Sequence, residues 1–129
     1  VVMLAQPGSI WLEPVAGTGA AVEQIKRSRH SIDPDNIYGN GVCGRAFRTQ
    51  KPCVNHDILN SAQGRPWQQT VRETGVTACV AVPLIKSGQS IGVLMFCGTS
   101  GNWSRLMPAR RNFARPHCIV THSLSSFLK

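Results

Sequence analysis

Two apolar runs without a charge, VTACVAVPL at 76–84 and SIGVLMFC at 90–97, constrain this chain more than any other feature. β-Branched residues recur in both, and the linking IKSGQ carries Gly88 where a turn needs a flexible backbone. Uncharged on every side, both runs belong at the centre of a sheet covered on each face. Side chains alternate along a strand. In the first run Val76, Ala78, Val80, Val82 and Leu84 share one face, and Thr77, Cys79, Ala81 and Pro83 the other. In the second, Gly92, Leu94 and Phe96 oppose Ile91, Val93, Met95 and Cys97. The bulkier, wholly apolar set suits packing under helices. The smaller set, with its polar groups, suits a cavity, which puts Cys79, Met95 and Cys97 on the cavity side. A one-residue slip in pairing would invert this for one strand.

Upstream, VVMLA and SIWLEPVA flank QPGS, which predicts a hairpin with strands near 1–5 and 9–16. AAVEQIKRSR at 20–29 reads as a short amphipathic helix. SIDPDN at 31–36 is a loop, because Pro34 holds Asp33 away from helical angles. GVCGRAFRT at 41–49 predicts a glycine-rich entry into a short helix, and PCVNHDI at 52–58 a short strand ending in an Asx-type turn. GRPWQQTVRETG at 64–75 has Pro66 at a helix start and Gly75 at a helix end, with Trp67 and Val71 on one face. The order of elements is that of an α+β domain, an antiparallel sheet with helices on its faces.

The chain has 129 residues, enough for one domain with its own core. It has no run of 18 apolar residues and no signal peptide, so a cytoplasmic location without a membrane span is expected. Five cysteines, an odd count, favour reduced thiols. The net charge of +8 is uneven: residues 1–100 carry nine basic and six acidic residues, residues 101–129 five basic and none acidic. The excess is largely a property of the tail. That tail holds no nucleic-acid-binding motif, so a nucleic-acid partner is not expected.

The succession GNGVCGRAFRTQKPCVNHDI, then PW before a short helix, then GVTACVAVPLIKSGQSIGVLMF, resembles the GAF domain, a small-molecule sensory module related in shape to PAS domains. The likeness covers about residues 8–98 and is carried by the G-x-C-G-x-A entry, the V-x-x-D exit and the VPL…G…IGVL hairpin. It is nearest in flavour to bacterial sensory GAF domains attached to cyclic-di-nucleotide signalling or histidine kinase proteins. It implies a GAF/PAS-like sheet with a pocket between one face and the segments at about 20–75. It also implies an unidentified small-molecule ligand, an output signalling domain in a parent protein, and a homodimer as an allowed arrangement. Residues 1–98 would be the sensory domain, lacking its leading helix. Residues 99–129 would be an atypical basic tail where an acidic closing helix is usual, as a frameshift or truncation near 97–105 would produce.

The candidate ligand-contacting residues are Tyr38, Cys43, Phe47, Asp57, Trp67, Cys79, Met95 and Cys97. Aromatic groups around a pocket hold planar or amphiphilic ligands. Beside this stands a packing role for each, and for Asp57 a turn-stabilising one. Arg45 and Arg48 are expected to face solvent, with Arg45 also able to meet an anion. One GAF branch, the free methionine-(R)-sulfoxide reductases, carries GVCG with a second cysteine ten residues on, as Cys43 and Cys53 are spaced. That branch keeps its attacking cysteine ahead of the hairpin, where this chain reads QQTVRETG, and its pocket acids align with Cys79, Met95 and Cys97. The expectation is therefore a non-enzymatic sensor. The reductase and a ligand-free dimerisation module stand as alternatives. No metal ligand set has recognisable spacing, although Cys43, Cys79 and Cys97 converging in space would suit a soft ion. Cys43 and Cys53 would also suit a redox pair.

Overall fold

The two uncharged runs close into one antiparallel ladder, from Ala78 opposite Gly98 to Lys86 opposite Gln89. The computed structural model describes residues 1–99, and the expectations for the basic tail lie outside them. In chain order the elements are β1 (Val2–Ala5), β2 (Leu12–Ala16), α1 (Val22–Arg27), α2 (Val42–Thr49), β3 (Cys53–Asn55), α3 (Gln68–Thr74), β4 (Ala78–Lys86) and β5 (Gln89–Gly98). Single 3-10 turns precede α2 at Ile37–Gly39 and α3 at Arg65–Trp67. The strands form one antiparallel sheet in the order β2-β1-β5-β4-β3, an α+β arrangement.

The turn between β4 and β5 is tighter than IKSGQ suggests. Ser87 and Gly88 both have positive φ, 52° and 77°. A two-residue loop with both residues left-handed matches the twist of the flanking strands, so Ile85, Lys86 and Gln89 join the ladder. Proline is tolerated where a strand has no neighbour to bond. Pro14 lies in the edge strand β2, and Pro83 lies beyond the reach of β3, whose pairing with β4 ends at Cys53 opposite Ala81. The third strand is short and is followed by the expected Asx turn, the Asp57 N–H donating to the Asn55 Oδ1 at 3.1 Å.

Register decides the faces. Cys79 lies opposite Cys97, Ala81 opposite Met95, and Pro83 opposite Val93, while Met3 of β1 pairs with Val93. Met3, Cys79, Ala81, Val93 and Met95 form one buried cluster with Ile25 of α1, Cys43 and Ala46 of α2, and Val71 of α3. The helices therefore cover the face expected to hold the cavity. On the opposite face Ala78 and Val80 make a small separate core, and Phe96, paired with Val80, is 50% exposed. Val76 departs from the alternation. It precedes β4 and turns toward the helix-covered side, because the regular pleat begins only at Ala78.

Side-chain bonds fasten α2 over the sheet. Gln50, left-handed at the helix end, donates from Nε2 to the Gly88 carbonyl at 2.9 Å. Ser90 of β5 donates to the Phe47 carbonyl at 2.7 Å. Arg48 was expected in solvent; although exposed, its Nη1 donates to the carbonyls of Ile32 (3.1 Å) and Gly39 (2.6 Å), tying the 31–39 loop to the helix. Arg48→Ala should therefore cost about 1–2 kcal/mol, since bonds to a charged donor exceed neutral ones but this one is partly solvated. The midpoint of urea unfolding measures it; a midpoint unchanged within error would show the two bonds to be incidental.

Candidate functional site

Between the sheet and the helices lies a cavity of about 60 Å³. Its floor is Cys79, Met95 and Cys97, side by side because the β4–β5 register places them on one face. Its walls come from Ile25 of α1, Val42 at the start of α2, and one face of the segment that ends in α3. Trp67, Thr70, Val71 and Thr74 follow one another at three- and four-residue steps and all line the cavity.

Trp67 is held on several sides. Its Nε1 donates to the Arg29 carbonyl at 2.9 Å. Its ring stacks on His30 with centroids 5.2 Å apart and planes 13° from parallel. Tyr38 meets it edge-on at 6.1 Å. Tyr38 also contacts Trp11, and the Arg29 guanidinium lies 4.1 Å above the Trp11 ring. At Gly41 a Cβ would run into the Trp67 ring, so only glycine lets α2 begin this close to the indole.

His30 is 7% exposed and lines the cavity. Its Nε2 shares a 2.9 Å bond with the Ser28 hydroxyl. Burial lowers its pKa to about 4, so the ring is neutral at pH 7. The thiols are neutral for the same reason. Burial, reinforced by the neighbouring Cys79 and Cys97, raises the Cys43 pKa well above that of a free thiol. Burial likewise raises Cys79, and pushes Cys97 up to about 11. A protonated thiol is a poor nucleophile, so these cysteines act as small apolar surface. Cys43, Cys53, Cys79 and Cys97 are free. Among the described residues no group of three or more His, Cys, Asp or Glu is placed to hold a metal ion, so Cys43, Cys79 and Cys97 do not assemble the soft-ion site considered above.

Of the residues singled out in the sequence, Trp67, Cys79, Met95 and Cys97 line the cavity. Four others stand back from it. Cys43 lies behind Met95, its Sγ 3.3 Å from the Met95 Sδ. Phe47 packs against the core cluster from the far end of α2. Tyr38 buttresses Trp67. Asp57 is exposed and accepts bonds from the Asn60 backbone at 3.3 Å and the Asn60 side chain at 2.9 Å, which is the turn-stabilising role. The sequence reading passed over Ile25, His30, Thr70 and Asn55. For Thr70 and Thr74 the signal was available in their helical spacing from Trp67. For His30 there was none, since its stacking partner is remote in the chain.

A second hollow of about 150 Å³ adjoins the first and shares Gly41, Val42, Asn55 and Gln63 with it. Its other lining includes Asn40, Arg45 and His56, and no carboxylate.

The chain matches the family model described as GAF domain over residues 3–105. Two solved structures of NreA protein from Staphylococcus aureus, described as mutated in the nitrate binding site, are similar to it. One is 24% identical over 54% of this chain and 58% of that chain, with a TM-score of 0.38. The other is 19% identical over 78% of this chain and 71% of that chain, with a TM-score of 0.46. This chain thus spans less than two thirds of the first of them. No curated protein matches it.

Proposed function

The chain belongs to the GAF domain family, and from that premise we propose that it is the non-enzymatic sensory module of a bacterial signal-transduction protein, binding a small molecule between its sheet and helices. The observation that carries this reading is the cavity over Cys79, Met95 and Cys97. It is walled largely by aliphatic, thioether, thiol and indole groups, with the neutral His30, Ser28, Asn55, Gln63, Thr70 and Thr74 as polar points. An engineered apolar cavity of roughly 150 Å³ accepts benzene, so about 60 Å³ accepts only a few non-hydrogen atoms. The guest is a very small molecule or the apolar end of a larger one. Binding would shift the populations of two arrangements of α1, α2 and α3 against the sheet, and an output domain would read the shift.

Two observations weigh against a reductase. The buried Cys43 has a raised pKa, and no carboxylate lines either hollow. The test is a saturation-transfer NMR titration with n-butanol as probe. Wild type should give a saturable signal, and Cys79→Phe, which fills the floor, should reduce it at least tenfold. An equal signal from a folded Cys79→Phe protein would remove the cavity as the binding place. Absence of saturable binding to wild type would favour the packing module, a GAF domain that serves only to associate.

A further inference from the structure

The hollow beside the cavity has a different chemistry from the cavity itself. Gly41, Val42, Asn55 and Gln63 line both, so the two hollows adjoin. The inner end is formed by Ile25, Val71 and Met95 over the thiols. The outer end carries Arg45, His56 and Asn40. Extending the sensory reading, on which it rests, we propose that the ligand is a short-chain aliphatic carboxylate, its hydrocarbon end over Cys79 and Met95 and its carboxylate held at Arg45 in the outer hollow.

Three points carry the assignment. The first is size. The inner cavity of about 60 Å³ admits a few atoms, and the adjoining hollow of about 150 Å³ has room for a polar head. The second is the state of Arg45. Arg48, one turn further along α2, spends its guanidinium on two backbone carbonyls. Among the described residues the Arg45 guanidinium has no hydrogen bond and no ion pair; only the residue's backbone is engaged, its N–H donating to the Gly41 carbonyl and its carbonyl accepting from Thr49. A guanidinium fork presents parallel N–H groups that fit the two oxygens of one carboxylate. The third is the absence of competition. No carboxylate of the protein lines the outer hollow, and the adjacent Asp57 turns its oxygens to Asn60. Gln63 adds an amide to the lining, the Asn55 and Asn40 amides being bonded to Ser61 and the Asn36 carbonyl, and α2 begins at Gly41 without a side-chain cap, so the end of the helix facing the hollow favours negative charge.

The test compares n-butyrate, n-butanol and acetate by saturation-transfer NMR titration against the full chain. Butyrate should bind at least tenfold more tightly than either, since butanol lacks the charge and acetate lacks the chain. Arg45→Gln should bring butyrate down to the level of n-butanol; Arg45 is exposed and its side chain unbonded, so the variant should keep the wild-type melting temperature. Butanol binding without a butyrate preference, or a preference that survives Arg45→Gln, overturns the proposal and leaves the sensory reading standing. Acetate binding as tightly as butyrate also overturns it, since the inner cavity would then be unused. If wild type binds none of the three, this proposal and the sensory reading both fall.

Discussion

Gly44→Ala should lower the melting temperature by roughly 10 °C, although alanine is the better helix former. On propensity alone the change would stabilise the interior of α2 by about 1 kcal/mol. The surroundings reverse the sign. A Cβ at Gly44 would run into the carbonyl oxygens of Gly39 and Ser31, and would lie 2.9 Å from the Gly39 carbonyl carbon. These are backbone atoms that cannot swing aside. The Gly39 carbonyl is also fixed by Arg48, and Ser31 is fully buried with its hydroxyl bonded to the Ile10 carbonyl. Relief requires α2 to lift from the 31–39 loop. That movement would carry Val42, Cys43 and Ala46 out of the core cluster and open the cavity wall. Overpacking costs about 1–3 kcal/mol where side chains can adjust, and a backbone obstacle belongs at or above the upper end, leaving a net loss of about 2–3 kcal/mol. Gly75→Ala is the control. Gly75 is left-handed at the end of α3 with nothing within 4 Å of the added carbon, so its cost is conformational only, about 1 kcal/mol. Thermal unfolding followed by circular dichroism ranks the two. A Gly44→Ala protein as stable as wild type would mean that α2 does not rest on that loop.

The same glycine illustrates what the sequence reveals and what it withholds. G-x-C-G marks a close approach of backbone but does not say to what; the answer, the carbonyls of Ser31 and Gly39, needs a loop whose path is set by Arg48. Cys79, Met95 and Cys97 were legible because a strand has a period of two and the hairpin turn fixes its register locally. The pairing of β1 with β5 was not, since Met3 and Val93 are brought together by the whole intervening chain. Trp67 and Val71 announced a helix face, and Thr70 and Thr74 sit on it too; their hydroxyls hid them from a reading that sought apolar residues. Tyr38 and Asp57 are polar-tipped residues in loops, which marks ligand contacts and loop scaffolding alike. Local sequence cannot separate these roles, because the difference lies in whether the partner is Trp67, Asn60 or a guest. Arg45 and Arg48 show the same limit: adjacent turns of one helix, the same chemistry, and different engagement decided by the position of two carbonyls.

His30 should make the fold acid-sensitive over a window set by its own titration. In the unfolded chain a histidine takes up a proton near pH 6.5, whereas in the folded protein His30 does so only near pH 4. Burial is the cause: the ring stacks on Trp67 at the cavity wall, and its bond to the Ser28 hydroxyl is no substitute for water around a charge. Above pH 6.5 the ring is neutral in both states and contributes no pH dependence. As the pH falls from 6.5 to 4 the unfolded state gains a proton that the folded state does not, and stability declines by up to about 3 kcal/mol. Below pH 4 both states are protonated and the decline from this residue stops. His30→Gln removes the titration while retaining a polar group able to meet Ser28. The urea midpoint of wild type should therefore fall relative to that of His30→Gln as the pH drops from 6.5 to 4, whatever their difference at pH 7, because every other titrating group is common to both. Since His30 is also cavity wall, its protonation sets a charge against Trp67 and beside an apolar guest, so n-butanol affinity should fall with the same midpoint near pH 4 and should not do so in His30→Gln. Parallel stability curves from pH 7 to pH 4 would place His30 in contact with water, and would remove it from the wall of the cavity.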